Sequence, residues 1–261
     1  LKQYLDLVRH VLDTGRMVQT RNGNRLTAYG AQLRFNLLDG FPLVTTKKVS
    51  LWNVAGELCW FLNGDTNTAR LKEWSIPIWD ANAGPDGNVG RAYGAMWRDW
   101  EGQLDQIARS VNLLRKAPNS TRNVVTAWNP TELDQMALPP CHFAFQVHHV
   151  DQGHIALQVS MRSVDVMVGL PYNIASYAIL AHLFECITGT FAVELIMDLG
   201  NIHIYEDHIP NAMIQIEREP YPLPRLLIEG HVPVNLKGLH PEKFRLVDYQ
   251  HHSFLKYEIH A

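Results

Sequence analysis

Apolar side chains along the chain recur with two periods, and the elements follow from them. In residues 2–14, Tyr4, Leu5, Val8, Val11 and Leu12 fall at helical spacing and Gly15 marks a stop. In residues 50–63, Leu51, Val54, Leu58, Phe61 and Leu62 share a face, Ser50 is placed to cap the start, and Asn63-Gly64-Asp65 ends the run. Residues 102–116 predict an amphipathic helix through Leu104, Ile107, Val111 and Leu114. Residues 173–187 are apolar almost throughout, which predicts a central buried helix. Residues 26–36, 123–128, 143–150, 154–162 and 192–205 read as strands, with a hairpin at Asp151-Gln152-Gly153. Residues 76–100 are rich in Gly, Trp and Asp, a loop composition too aromatic for a plain linker. Beyond residue 220 the chain is proline-rich and then forms short strands. No internal repeat or linker interrupts this order, so one α+β domain spans 1–261.

Composition narrows the class. The 261 residues are 46% hydrophobic and 19% charged, enough apolar material for a sizeable core. The net charge of −3 carries no general polyanion signal, so no nucleic acid is required and an anionic ligand has to be met by local arginines. Cys59, Cys141 and Cys186 are far apart without a CxxC, which argues against a disulfide framework or zinc site and suits a reducing compartment. The 13 histidines are scattered, and no metal is expected. No apolar run reaches the roughly 18 residues of a membrane span, and no leader pattern opens the chain. The expectation is a cytoplasmic protein (host cytoplasm if phage-encoded) with no membrane partner.

Candidate chemistry centres on Met136-Ala137-Leu138-Pro139-Pro140-Cys141-His142. A lone cysteine is ordinarily an inert buried thiol. Here two prolines, which cannot donate to a ladder and hold the backbone extended, precede the thiol and fix its direction. A nucleophilic reading needs a cation or base nearby. Glu57 lies inside an apolar helix, a costly place for a carboxylate unless it is paired or catalytic. Arg21 and Arg25 flank a polar turn.

Several stretches together resemble thymidylate synthase. They include Arg34-Phe35-Asn36, Asp39 to Lys48, Glu57 to Leu62, Gly64 to Asn67, Ile78-Trp79-Asp80, Tyr93-Gly94 and Ala127-Trp128-Asn129. They continue through Met136 to His142, Arg162-Ser163-x-Asp165-Val166, Gly169 to Tyr177, and His203-Ile204-Tyr205. The superfamily also contains deoxynucleotide hydroxymethylases, which phages use to make modified pyrimidines. The resemblance implies a large mixed β-sheet packed by helices, one sheet face forming a homodimer interface. It implies Cys141 adding to C6 of dUMP, so that C5 becomes nucleophilic. Arg162 would acidify the thiol and, with Arg21 and Ser163, hold the phosphate, while Arg122 reaches the phosphate site of the other subunit. Asn173 would read uracil, and His203 and Tyr205 the sugar; His142 joins the substrate-binding set. The co-substrate implied is 5,10-methylenetetrahydrofolate, against Ile78, Trp79, Leu138, Asp165, Gly169, Tyr172 and Ala261. Glu57 would act as general acid and base, Tyr93 would assist removal of the C5 proton, and Asp165 would hold the pterin.

Departures bear on the outcome. After one-carbon transfer an exocyclic methylene on C5 is either reduced by hydride, giving dTMP, or hydrated, giving 5-hydroxymethyl-dUMP. Synthases commonly carry a second tryptophan three residues after the first; this chain has Asn82. The tail Lys256-Tyr257-Glu258-Ile259-His260-Ala261, the Met161 and Asn201 positions, and Thr121 in place of a second arginine also depart. These changes cluster on the folate and closure elements, and Ser160-Met161-Arg162-Ser163 and Gly200-Asn201-Ile202-His203 resemble the phage hydroxymethylases, so hydration, with Asn82 admitting water, is the favoured expectation. The alternative is a thymidylate synthase. A non-catalytic nucleotide or RNA binder is disfavoured by Cys141, Glu57, Tyr93 and Arg162, since a binder needs no thiolate.

Overall fold

The computed structural model describes residues 1–151 and 153–260. In chain order the elements are α1 (Lys2–Thr14), β1 (Arg16–Thr20), β2 (Gly23–Asn36), α2 (Leu51–Asn63), α3 (Ala69–Glu73), α4 (Tyr93–Arg98) and α5 (Gln106–Lys116). They continue with β3 (Val124–Thr126), β4 (His142–Asp151), β5 (His154–Asp165), α6 (Gly169–Thr188), β6 (Phe191–Tyr205), α7 (Ile209–Ile216), β7 (Arg225–Ile228) and β8 (Phe244–Val247).

Six strands form one mixed sheet in the order β1-β2-β6-β5-β4-β3, and β7 and β8 form a separate ribbon. Only the β5–β6 pair of the large sheet is parallel, and α6 is the connection that makes this possible. Because α6 is apolar all round, it packs inside the domain, against β5, β6 and α2. Parallel pairing also decides where the chemistry sits. It aligns Ser163 with Asn201 and Asp165 with His203 at the carboxyl ends of β5 and β6, beside the start of α6. Cys141 arrives next to them because β4 runs antiparallel to β5, placing His142 opposite Met161.

Several expectations from periodicity are corrected. The helix expected from 102 begins at Gln106, because the Asp105 carboxylate caps it by accepting from Ala108 N at 2.9 Å, while Glu101 and Gly102 take positive φ in a turn. Leu104 therefore lies outside the helical face, 37% exposed. The aromatic loop 76–100 contains a fully buried helix, α4, masked by its brevity and by Gly94. A Cβ at Gly94 would meet the Phe61 carbonyl oxygen at 3.0 Å, so glycine lets α4 approach α2. The central helix starts at Gly169 rather than Asn173, since Pro171 falls in its first turn, where no N–H is needed. The strand expected over 123–128 is confined to Val124–Thr126. Helices α3 and α7 had no expectation attached. Gly15 ends α1 in extended rather than left-handed conformation. The helix at 50 begins as expected, the Ser50 hydroxyl accepting from Asn53 N. Among the described residues no helix is long and apolar enough to cross a membrane.

Candidate active site

Cys141 stands half-buried at the entry to β4, held from both sides of its peptide. Its N–H donates to the Tyr93 hydroxyl at 2.7 Å, and its carbonyl accepts from Arg162 N at 2.8 Å. The Arg162 guanidinium donates to the carbonyls of Pro140 (2.9 Å) and Pro139 (2.7 Å) and lies 5.4 Å above the Trp128 ring. The two prolines thus do more than keep the chain extended: their carbonyls aim the arginine. Burial pushes the Cys141 thiol up, and Arg162 only partly opposes it. Arg162 thus acts on the thiol in the expected direction, while desolvation is the larger influence in this arrangement.

Glu57 projects from α2 into the core, where burial raises its pKa from 4.5 to about 7, with the Trp79 hydrogen bond opposing that rise. The Trp79 indole N–H donates to Glu57 Oε1 at 2.7 Å. The Trp79 ring is 5% exposed and packs against Trp60, Phe61 and Tyr93. A carboxyl poised near neutrality can both give and take a proton. His142 does not reach the open site. It is 7% exposed, stacks on Tyr93 at 4.1 Å, and places Nδ1 2.8 Å from the Tyr177 hydroxyl. Burial lowers its pKa to about 3, so it is neutral. In that position it supports the Tyr93 ring.

A cavity of about 180 Å³ is lined by Glu57, Ile78, Val168, Gly169, Tyr172, Asn173 and Ile259. Its apolar walls and few polar groups suit a flat heterocycle with a polar edge, so these residues fit the ring part of a folate. A larger groove, about 720 Å³, runs between α1 and residues 216–223 and contains none of the candidate residues. Asp165 accepts at Oδ1 from Met167 N (2.9 Å) and Val168 N (3.0 Å) at the entry to α6, with His208 Nδ1 4.0 Å away. Burial pushes the Asp165 carboxyl up, and His208 and Lys47 oppose this. Leu138 is half-buried against the core beside the cysteine segment. Asn82 is half-buried too, but meets Trp79 through the backbone (N to O, 3.0 Å) and is not among the cavity-lining residues.

At the sugar end, His203 is buried and neutral, its pKa lowered to about 3 by burial and by Arg25. Arg25 Nη1 stands 3.3 Å from His203 Nε2, and the Asn201 side-chain oxygen 3.0 Å from Nδ1. The Arg25 donor therefore assigns the remaining hydrogen to Nδ1. Tyr205 packs edge-on to His203 at 5.4 Å. Ser163 is half-buried on β5. Arg21 and Arg122 are exposed: Arg21 Nε donates to Asn22 Oδ1 at 3.0 Å, and the Arg122 backbone N donates to the Ser120 hydroxyl. Ala261 lies outside the described residues.

Four residues were missed in the sequence as functional candidates. Arg25 pairs with His203. Lys47, inside a stretch that carried the resemblance, is buried with its pKa lowered to about 8, donates to the Met167 carbonyl and lies 4.5 Å over Tyr257. His208 is 1% exposed, its Nε2 2.8 Å from the Glu258 carbonyl oxygen. His260 meets Asp207. Lys47 carried a local signal, a cation within an apolar stretch, and Arg25 only its place in the polar turn. The ligating atoms of Asp207, His208 and His260 lie within 4.8 Å of one another, but Glu258 and Asp207 already engage the two Nε2 atoms by hydrogen bonds.

A family model described as Thymidylate synthase matches residues 2–261. That span takes in every candidate residue, from Arg21 on the first hairpin to the tail that walls the cavity. The chain belongs to the thymidylate synthase family, whose chemistry is the folate-dependent transfer of a one-carbon unit to dUMP.

Proposed function

We propose that this protein makes dTMP: it is a synthase, not a hydroxymethylase. The observation that carries this reading is the buried Trp79 held on Glu57. The first tryptophan of the loop is kept, 5% exposed, and donates to Glu57, which lines the cavity together with Ile259 of the tail. A buried indole behind Glu57 and the tail residue Ile259 limit water at the place where a methylene on C5 would form, and exclusion favours hydride over hydration. Asn82, on which the hydration expectation rested, does not line that cavity. The hydroxymethylase reading retains one observation in its favour, the polar Asn82 side chain half-exposed next to Trp79 in the chain turn.

In the proposed reaction the Cys141 thiolate adds to C6 of dUMP. The phosphate neutralises part of the charge on Arg162, Arg21 and Ser163 hold its other oxygens, and Asn173 accepts from N3–H and donates to O4. The folate supplies the one-carbon unit and, in this reading, the hydride. Glu57 moves protons near neutral pH, and Tyr93, whose hydroxyl already contacts Cys141 N–H, stands where the C5 proton leaves. Ile78, Trp79, Leu138, Gly169 and Tyr172 pack the pterin, Asp165 hydrogen-bonds its edge, and Ala261 completes closure. His203 and Tyr205 take the sugar hydroxyl, with Arg25 releasing Nε2.

A homodimer belongs to the same proposal. Helices α1 and α6 cover one face of the sheet, while the other carries half-exposed and exposed polar side chains. On it Gln32 and Gln158 donate to Asp198, His148 meets Gln158 at 2.9 Å, and Arg34 pairs with Glu194 at 2.9 Å. A second copy on this face would bring its Arg122 to the phosphate. Sedimentation gives the mass directly, and a monomer at micromolar concentration would refute this part. For the reaction, the nucleotide formed from dUMP and methylenetetrahydrofolate is weighed by mass spectrometry, and dihydrofolate is followed by its near-ultraviolet absorbance. The expected result is dTMP with stoichiometric dihydrofolate; 5-hydroxymethyl-dUMP without dihydrofolate would overturn the reading.

A further inference from the structure

His260 joins three parts of the molecule that the reaction keeps separate. Its ring stacks on Tyr205 at 3.9 Å and 16°. Its Nδ1 lies 3.0 Å from the Asn22 carbonyl oxygen, on the turn that carries Arg21. Its Nε2 lies 3.0 and 3.1 Å from the two oxygens of Asp207. Both ring nitrogens therefore face groups that only accept. A neutral imidazole has one N–H and satisfies one of them; the imidazolium satisfies both. The same segment is tied down upstream by Tyr257, whose hydroxyl donates to buried Gln215 at 2.8 Å, and by the Glu258 carbonyl on His208. Ile259, between these anchors and His260, walls the cavity with Glu57 and Asn173.

We propose that His260 is a positioning residue, a latch whose stack and two hydrogen bonds fix Tyr205 and the Arg21 turn against residues 249–260, so that docking the segment over the folate side also organises the nucleotide side. The inference rests on the reading that Tyr205 faces the nucleotide sugar. Charged and titratable groups reach the ring from three elements. From the β6–α7 connection, Asp207 touches it, His208 stands with its ring centroid 5.3 Å away, and Glu206 is held by Asn24. From the first hairpin, Arg21 is turned onto Asn22 and Arg25 onto His203. On its own segment, Glu258 is paired with Lys256. The anion in direct contact with the ring is Asp207.

The test is hydrogen–deuterium exchange of the peptide covering 249–260 in the whole, ligand-free protein at pH 6.5. His260→Phe keeps an aromatic ring to stack on Tyr205 but has no ring N–H, and its protection is expected to fall about tenfold below the wild type. Asp207→Asn, which weakens the contact at Nε2, should lower protection by less. Protection in His260→Phe that matches the wild type overturns the latch. By calorimetry at pH 6.5, His260→Ala should bind dUMP about five- to tenfold more weakly; unchanged affinity overturns the positioning of Tyr205. Wild-type protein that binds no dUMP at all would sink the functional reading instead, and the exchange data would still judge the latch.

Discussion

Around Cys141 the side chains are dry and mutually fixed; around Arg21 and Arg122 they are wet and hold only neighbours in the chain. In the first region Glu57, Trp79, Tyr93, His142 and Tyr177 form one packed set, and burial drives each of their resolved pKa shifts. In the second, both guanidinium groups are exposed, and that of Arg21 donates to its neighbour Asn22. The difference teaches how the work divides. Proton transfer needs a pKa set in advance, and for Glu57 burial sets it. Anion binding by arginine needs no such burial: the charge is permanent, and the ligand can order the side chains on arrival. The fully built half should therefore control rate, and the loose half affinity.

The strongest attack on this comparison is Cys141→Ser. Turnover should fall to background while dUMP still binds, since the thiol contributes the covalent bond and little of the binding surface. Retained turnover would remove Cys141 from the chemistry. Glu57→Gln comes next. Its kcat should drop about 10²- to 10³-fold with a much smaller change in KM. The same variant carries a stability signature. A carboxyl whose pKa rises from 4.5 to about 7 on folding contributes stability that is fully present below 4.5 and is lost as pH climbs through 7. At pH 8 the wild type should thus have forfeited about 3 kcal/mol that the glutamine variant has no means to lose. Melting temperatures at pH 5 and pH 8 should narrow or invert the gap between the two proteins, and parallel shifts would mean that Glu57 titrates normally.

Arg21→Ala tests the loose half. It should raise the KM for dUMP about tenfold and leave kcat within a few-fold, with the effect shrinking at high salt. A kcat loss as large as that of Glu57→Gln would erase the proposed division. The smallest effect is expected from Asn82→Trp, which should leave the product as dTMP, because Asn82 does not line the cavity, whereas Ile259 and Glu57, held by Trp79, do. A product mixture in the wild type that this substitution cleans up would return Asn82 to the centre of the mechanism.

Much of the scaffold was legible because it rests on local periodicity. The runs that became α1, α2, α6 and the long strands are apolar on fixed spacings, and burial selects those spacings wherever the element lands. The short buried helix α4 was illegible for the complementary reason: six residues with a glycine carry no period, and tertiary packing against Phe61 holds them. Cys141, Glu57, Asp165 and Asn173 could be singled out in the sequence because the residues around them resemble a known family. The sequence determined which groups are present: a thiol behind two prolines, a carboxylate in an apolar helix, and scattered arginines. Only the tertiary structure decided their states. Glu57 is poised by what buries it, His142 is turned inward to Tyr177, and the Arg162 guanidinium is aimed by two proline carbonyls. Likewise His260 meets Asn22, 238 positions away in the chain. Protonation and hydrogen bonding depend on distance and dielectric, and the folded arrangement fixes both.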